Sequence, residues 1–195
     1  VGEIITERAG NLNLGVEGMM YMGAVVGFAA GMYTQNAALA VACAFIAGAL
    51  GALIYAFLTV TLKANQNVTG LTLTIFGTGF ANFVGEFLVN SSEGGKAMLS
   101  EGLLAKFSTI NIPGLSDIPY VGRLLFQYNA FVYMALVMAI GAGIYLYHTR
   151  QGLNMRAVGE NPASADAAGI PVSLYKYVNI MLGGGICGLG GAYIT

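Results

Sequence analysis

Residues 37–62 read AALAVACAFIAGALGALIYAFLTVTL, a run without a single charged side chain. A helix that crosses a membrane needs about 20 largely apolar residues, and this run is longer than that. Four further stretches lie around it. Residues 128–147, YNAFVYMALVMAIGAGIYLY, and 177–195, YVNIMLGGGICGLGGAYIT, are comparably apolar. Residues 13–33 are apolar but carry Glu17. Residues 71–89, LTLTIFGTGFANFVGEFLV, contain Gly77, Gly79, Gly85 and Glu86, and are expected to be less regular than 37–62, as a full span or as a discontinuous or re-entrant segment. The expectation is an all-α integral membrane protein: a multi-span helical bundle with a discontinuous segment, forming one domain over 1–195.

Composition agrees. Of the 195 residues, 56% are hydrophobic and 9% charged, against about a quarter charged in a soluble domain. With so little charge the chain has no polar surface to disperse it in water, a requirement that lipid removes. A net charge of -1 gives no basic surface for nucleic acid. The lone His148 excludes most histidine-based catalysis and multi-histidine metal sites. Cys43 and Cys187 lie in apolar runs and read as small hydrophobes. Met19, Met20 and Met22 read as core packing. GGGICG at 183–188 matches a dinucleotide fingerprint only formally, because it follows no strand.

Small residues recur at four-residue spacing in Gly23/Gly27/Gly31, Ala44/Gly48/Ala52 and Gly183/Cys187/Gly191. Such stripes let helices pack closely. The polar segments are 63–70, 90–127 and 148–176, the second expected as an ordered loop with at most a short helix. With 148–176 cytoplasmic, that side holds Arg8, Lys63, Arg150, Arg156 and Lys176, and the extracytoplasmic loop 90–127 with its neighbours holds Lys96, Lys106 and Arg123. The positive-inside rule favours this orientation by a small margin.

Within 148–176, the run GENPASADAAGI (159–170) is built as a short helix. Asn161 suits the N-cap and Pro162 the first helical position. Ala163, Ser164, Ala165, Asp166, Ala167 and Ala168 tolerate helix, Gly169 suits a left-handed terminus and Pro171 prevents continuation. Its smooth alanine face is expected to be exposed and to suit a groove on a partner. Arg156 and Glu160 are spaced as a helical pair. Spacing alone also allows an ordinary connector.

GLNMRAVGENPASADAAGI at 152–170 resembles the cytoplasmic coupling loop of permease subunits of bacterial ATP-binding-cassette importers, in the simple-sugar and nucleoside subfamily related to the branched-chain amino acid and ribose permeases. ERAGNLNLGVEGMMYMGA (7–24), NQNVTGLTLTIFGTGFANFVG (65–85) and SDIPYVGRLLFQYNAFVY (116–133) resemble its other signatures in order. Glu86 departs from that pattern, which has a small or basic residue there. Members extend beyond both ends of this sequence, so the chain is expected to be a fragment. The resemblance implies a multi-pass protein of the bacterial inner membrane. It implies a partner ATPase, which binds ATP-Mg and docks on Gly159, Glu160, Asn161, Pro162, Ala163, Ala165, Asp166, Ala167, Ala168 and Gly169. It also implies a second permease subunit and an extracytoplasmic substrate-binding lipoprotein, with membrane lipid around them. No cofactor is expected in this chain, which has no phosphate-binding Gly-x-x-x-x-Gly-Lys run.

Candidate pathway residues are Asn11, Asn13, Glu17, Thr78 and Asn82. Glu17 either lines or gates a path, with a helix interruption near Gly15 and Gly18, or caps a helix or pairs with Arg8. Thr72, Thr74, Thr78 and Asn82 either face the path or bond between helices. A secondary transporter or channel is the alternative function. It predicts paired ionisable residues inside the spans, for which only Glu17 and Glu86 are available. An intramembrane enzyme would need a nucleophile with its base, or a metal site.

Overall fold

The computed structural model describes residues 1–92, 98–100, 102, 109–111 and 127–195. Within these, the elements in order are α1 (Gly2–Arg8), α2 (Val16–Thr34), α3 (Ala37–Ala56), α4 (Gln66–Ser91), the strands β1 (Thr109–Asn111) and β2 (Gln127–Asn129), then α5 (Ala130–His148), α6 (Arg150–Glu160), α7 (Pro162–Ala167) and α8 (Val172–Ile194). β1 and β2 pair antiparallel with Ile110 opposite Tyr128. Most of the loop expected over 90–127 lies outside the described residues.

Asparagines set the starts of α3, α4 and α5. The Asn36 side chain accepts from the Ala38 N–H, Asn65 from Asn67 and Val68, and Asn129 from Val132. Each satisfies donors that the first helical turn leaves open. Among the described residues, four helices are long and apolar enough to span a membrane: Ala37–Thr61, Gln66–Ser91, Ala130–His148 and Val172–Ile194. The protein is a multi-pass membrane bundle. The expected fifth span, 13–33, is realised as α2, which is not among the four. α2 packs on α3, α4 and α8. A helix walled by protein is under less demand for apolarity than one walled by lipid.

One expectation is reversed. Residues 71–89 lie within a single helix, α4, and the discontinuity is elsewhere. The irregular backbone is in the longest apolar run, where α3 passes into a wide π turn over Phe57–Thr61. Each glycine costs a helix about 1 kcal/mol relative to alanine. An unsatisfied backbone group in hydrocarbon costs several, so α4 stays helical through its glycines. Gly77 serves packing instead: a side chain there would collide with the backbone of Gly18 on α2.

The α2–α3–α8 crossing is the core. A Cβ at Gly188 would be driven into the Ala44 carbonyl of α3, and one at Gly23 into the Gly188 backbone. Gly27 lies against Ala44, and Gly184 against Gly48 and Ala52. The stripes on α2 and α3 therefore pack as expected. The α8 stripe is divided: Gly183 and Cys187 face α1 and Gly191 faces Met20, while Gly184 and Gly188, outside the stripe, face α3. Met19, Tyr55, Ala56, Leu73 and Ile180 fill the space beneath the crossing.

The crossing predicts a contrast between glycines. Overpacking a filled interior costs about 1–3 kcal/mol. Gly188→Leu should lower the unfolding midpoint of the detergent-solubilised protein, whereas Gly79→Leu, where an added Cβ meets nothing, should leave it unchanged. Equal losses in both would show that the loss does not come from the crossing, since helix propensity alone favours leucine over glycine at either site.

Candidate functional site

The helix interruption lies between α1 and α2, at residues 9–15, just ahead of Glu17. α1 runs alongside α8. Gly2 abuts Gly183 and Cys187 near the middle of α8, and Gly10 abuts Gly159 at the end of α6. α1 closes on a left-handed glycine: Gly10 has φ +83°, its N–H donates to the Glu7 carbonyl, and the Asn11 N–H donates to the Thr6 carbonyl. This is the Schellman arrangement.

The chain then turns back, with Asn11, Asn13 and Gly15 buried and Leu12 and Leu14 exposed. The Leu12 N–H donates to Gln66 Oε1 at 2.9 Å, and the Leu12 carbonyl accepts from the Tyr55 hydroxyl at 2.7 Å. The Asn13 N–H donates to Glu3 Oε1 at 3.0 Å, and the Gly15 N–H donates to Asn13 Oδ1 at 2.9 Å. The Leu14 carbonyl accepts from Thr74 Oγ1 at 3.1 Å. Three helices, α1, α3 and α4, thus supply side chains to one irregular turn. Buried backbone groups must be paired, which is why polar residues converge here. Asn11 and Asn13 are 1% and 3% exposed, and Asn11 Oδ1 and Glu3 Oε2 are buried without a partner.

The other candidate pathway residues do not join this cluster. Glu17 is exposed in the first turn of α2, where a carboxylate complements the helix dipole. It forms no ion pair with Arg8 among the described residues. Thr78 donates to the Thr74 carbonyl of its own helix at 2.8 Å, and Asn82 is exposed one turn further along. A cleft of about 330 Å³ opens between α2 and α4, lined by Tyr21, Ala24, Phe28, Ala81 and Gly85. Glu17 precedes Tyr21 by four residues, and Thr78 lies three before Ala81.

The second feature is the α5–α8 connection. Thr149 ends α5 and starts α6: its hydroxyl donates to the Tyr145 carbonyl at 2.6 Å and accepts from the Gly152 N–H at 3.0 Å. Asn161 ends α6 and caps α7, its Oδ1 accepting from the Ser164 N–H at 3.1 Å. α7 spans Pro162–Ala167. It finishes in a second Schellman turn, with Gly169 at φ +81°, Gly169 N–H bonded to Asp166 and Ile170 N–H to Ala165. Pro162, Ala163, Ser164, Asp166, Ala167, Ala168 and Gly169 are exposed, as is Glu160. Ala165 corrects the expectation of a fully exposed alanine face: it is 3% exposed and points inward. A one-and-a-half-turn helix lying on a surface must bury one face, and Ala165 is on it. The Arg156 guanidinium stacks over Tyr147, 5.1 Å from the ring centre, rather than pairing with Glu160.

Sequence reading missed Glu3, Tyr55 and Gln66. Each lies far in sequence or on another element from the backbone group it serves, so no local pattern marks it. Asn179 was missed likewise: it is buried in α8, accepts from the Tyr145 hydroxyl at 3.2 Å and donates to the Tyr175 carbonyl at 2.7 Å.

Tyr55→Phe removes the donor to the Leu12 carbonyl. The bond is partly buried, and losing it costs about 1 kcal/mol. The variant should therefore show a lower unfolding midpoint than Tyr33→Phe, whose ring is exposed.

The profile of the family described as branched-chain amino acid transport system / permease component matches residues 1–195. A candidate glucose ABC transporter permease of Haloferax volcanii is 37% identical over 100% of this chain and 57% of its own length. A nucleoside ABC transporter permease of Lactococcus lactis subsp. cremoris is 33% identical over 98% of this chain and 61% of its own. A guanosine ABC transporter permease of Bacillus subtilis is 33% identical over 98% and 60%. The chain thus spans about three fifths of the length of these relatives. No solved structure matches significantly. With the whole sequence inside the family profile, and a multi-span helical bundle to carry it, the chain belongs to the permease components of the branched-chain amino acid transport system family.

Proposed function

We propose that this chain is the membrane-spanning core of a permease subunit in an ATP-driven importer that carries a nucleoside or a simple sugar across a bacterial inner membrane. A partner ATPase binds ATP-Mg and docks on α7 and its flanks, from Gly159 to Gly169. A second permease subunit completes the pore, and an extracytoplasmic lipoprotein delivers the substrate. The α5–α8 connection faces the cytoplasm. The path for substrate runs along the α2–α4 cleft and the break that precedes it, with Asn11, Asn13, Glu17, Thr78 and Asn82 near it.

One observation carries this reading. α7 is fixed at both ends by its own caps, yet every described residue from Pro162 to Gly169 except Ala165 is exposed. A helix ordered by capping, with small side chains outward, offers a rigid, smooth surface to a partner groove. The relatives named as glucose, nucleoside and guanosine permeases support the two substrate classes.

The test uses outward positions, since an arginine at Ala165 would disturb the inner face. In the full-length subunit assembled with its partners, Ala163→Arg and Ala167→Arg should each reduce ATPase co-purification and substrate-stimulated hydrolysis while leaving membrane insertion intact. Normal assembly and normal stimulated hydrolysis in both would make α7 a connector and favour an ion-driven transporter or channel.

A further inference from the structure

The flank of the proposed docking helix meets the polar break backbone on backbone, at Gly159 and Gly10. A Cβ at Gly159 would collide with the Arg8 carbonyl oxygen, and one at Gly10 would lie 3.0 Å from the Gly159 Cα. The end of α6, at Gly159, two residues before the Asn161 cap of α7, therefore crosses the end of α1 backbone on backbone. At its other end α1 meets α8 in the same manner, at Gly2 and Gly183. α1 is seven residues long, one rigid piece gripped at both ends.

The same piece carries Glu3, whose carboxylate holds the Asn13 N–H across the break. The C-terminal turn of α1 also supplies the Thr6 carbonyl that accepts from Asn11. Close-packed interiors transmit displacement rather than absorb it; at Gly10 and Gly159 no side chain separates the two backbones, and Met155 of α6 packs on Ile5 and Ala9 beside them. We infer that the Gly10–Gly159 crossing is the joint through which α7 acts on the break at residues 9–15, so that Gly10 and Gly159 are positioning residues for coupling. This rests on the reading of α7 as the ATPase docking helix. It routes the motion through α1 in addition to the covalent connections into α5 and α8.

Two variants widen the crossing from opposite sides. Gly159→Ala adds a methyl on α6. Gly10→Asn adds a side chain on α1 while keeping a residue type that tolerates positive φ. Both are placed in the full-length subunit of the assembled complex in proteoliposomes, with Gly143→Ala, whose added Cβ meets nothing, as control. Allosteric couplings are typically worth roughly 5–150-fold. Gly10→Asn, outside the docking surface, should keep ATPase co-purification and basal hydrolysis near the control, while in both variants substrate uptake and substrate-stimulated hydrolysis fall about tenfold or more.

Uptake near the control in both variants overturns the inference. So does failure of both to assemble, since the crossing would then serve folding alone. If Gly159→Ala alone fails to assemble, Gly10→Asn decides. The α7 arginine variants separate the two claims. If they leave docking intact, the docking reading itself fails. If they abolish docking while the crossing variants couple normally, only the joint is refuted.

Discussion

The hydrogen bonding of residues 11–15 is the constraint on which the arrangement depends. Where it is buried, a backbone that leaves helical geometry must find partners in the protein. Here the Tyr55 hydroxyl from α3, Gln66 and Thr74 from α4, and the Glu3 carboxylate from α1 reach the open amides and carbonyls. Each of these bonds is also a distance restraint. Together they fix where α3 and α4 stand relative to the α1–α2 pair, and the glycine crossings then determine how closely the helices approach. In lipid there is little hydrophobic drive between helices, so close van der Waals packing and such bonds carry the association.

The two halves of the candidate site differ in how they were specified. α7 was legible almost residue by residue. Asn161, Pro162, Gly169 and Pro171 are local instructions, each acting within a few positions of itself, and the structure uses the first three as the spacing implies. The spans at 37–62, 128–147 and 177–195 were legible because length and apolarity suffice. The break was only half legible. Gly15 and Gly18 beside Glu17 pointed to an interruption, but its place at 9–15 depends on partners up to 60 residues away. Glycines in 71–89 misled for a related reason. Glycine signals either a weak helix or a close neighbour, and only the position of Gly18 distinguishes the two. Ala165 illustrates the same limit on a smaller scale: composition gave the alanines, and packing alone separated the one that faces inward.

The helices are unevenly embedded. Of the four candidate spans, α8 buries 44% of its apolar window within the described bundle and α5 only 6%. α8 is thus the axis on which α1, α2 and α3 all converge, and α5 is held mainly at its Thr149 end, through Leu146 and the Met155 cluster with Ile5 and Ala9. The arrangement sets a fixed centre beside a peripheral helix.

The doubled use of Thr149 and Asn161 has a consequence for how this segment can vary. Each residue is at once the end of one helix and the cap of the next, so α5, α6 and α7 follow one another with no slack between them. An inserted residue would rotate everything beyond it by about 100°, turning the Gly159 face of α6 away from α1 and the inner face of α7 outward. A changed side chain at an exposed position leaves every helix in place, whereas a changed number of residues between Thr149 and Gly169 does not. The segment is therefore specified by its length more strictly than by its composition.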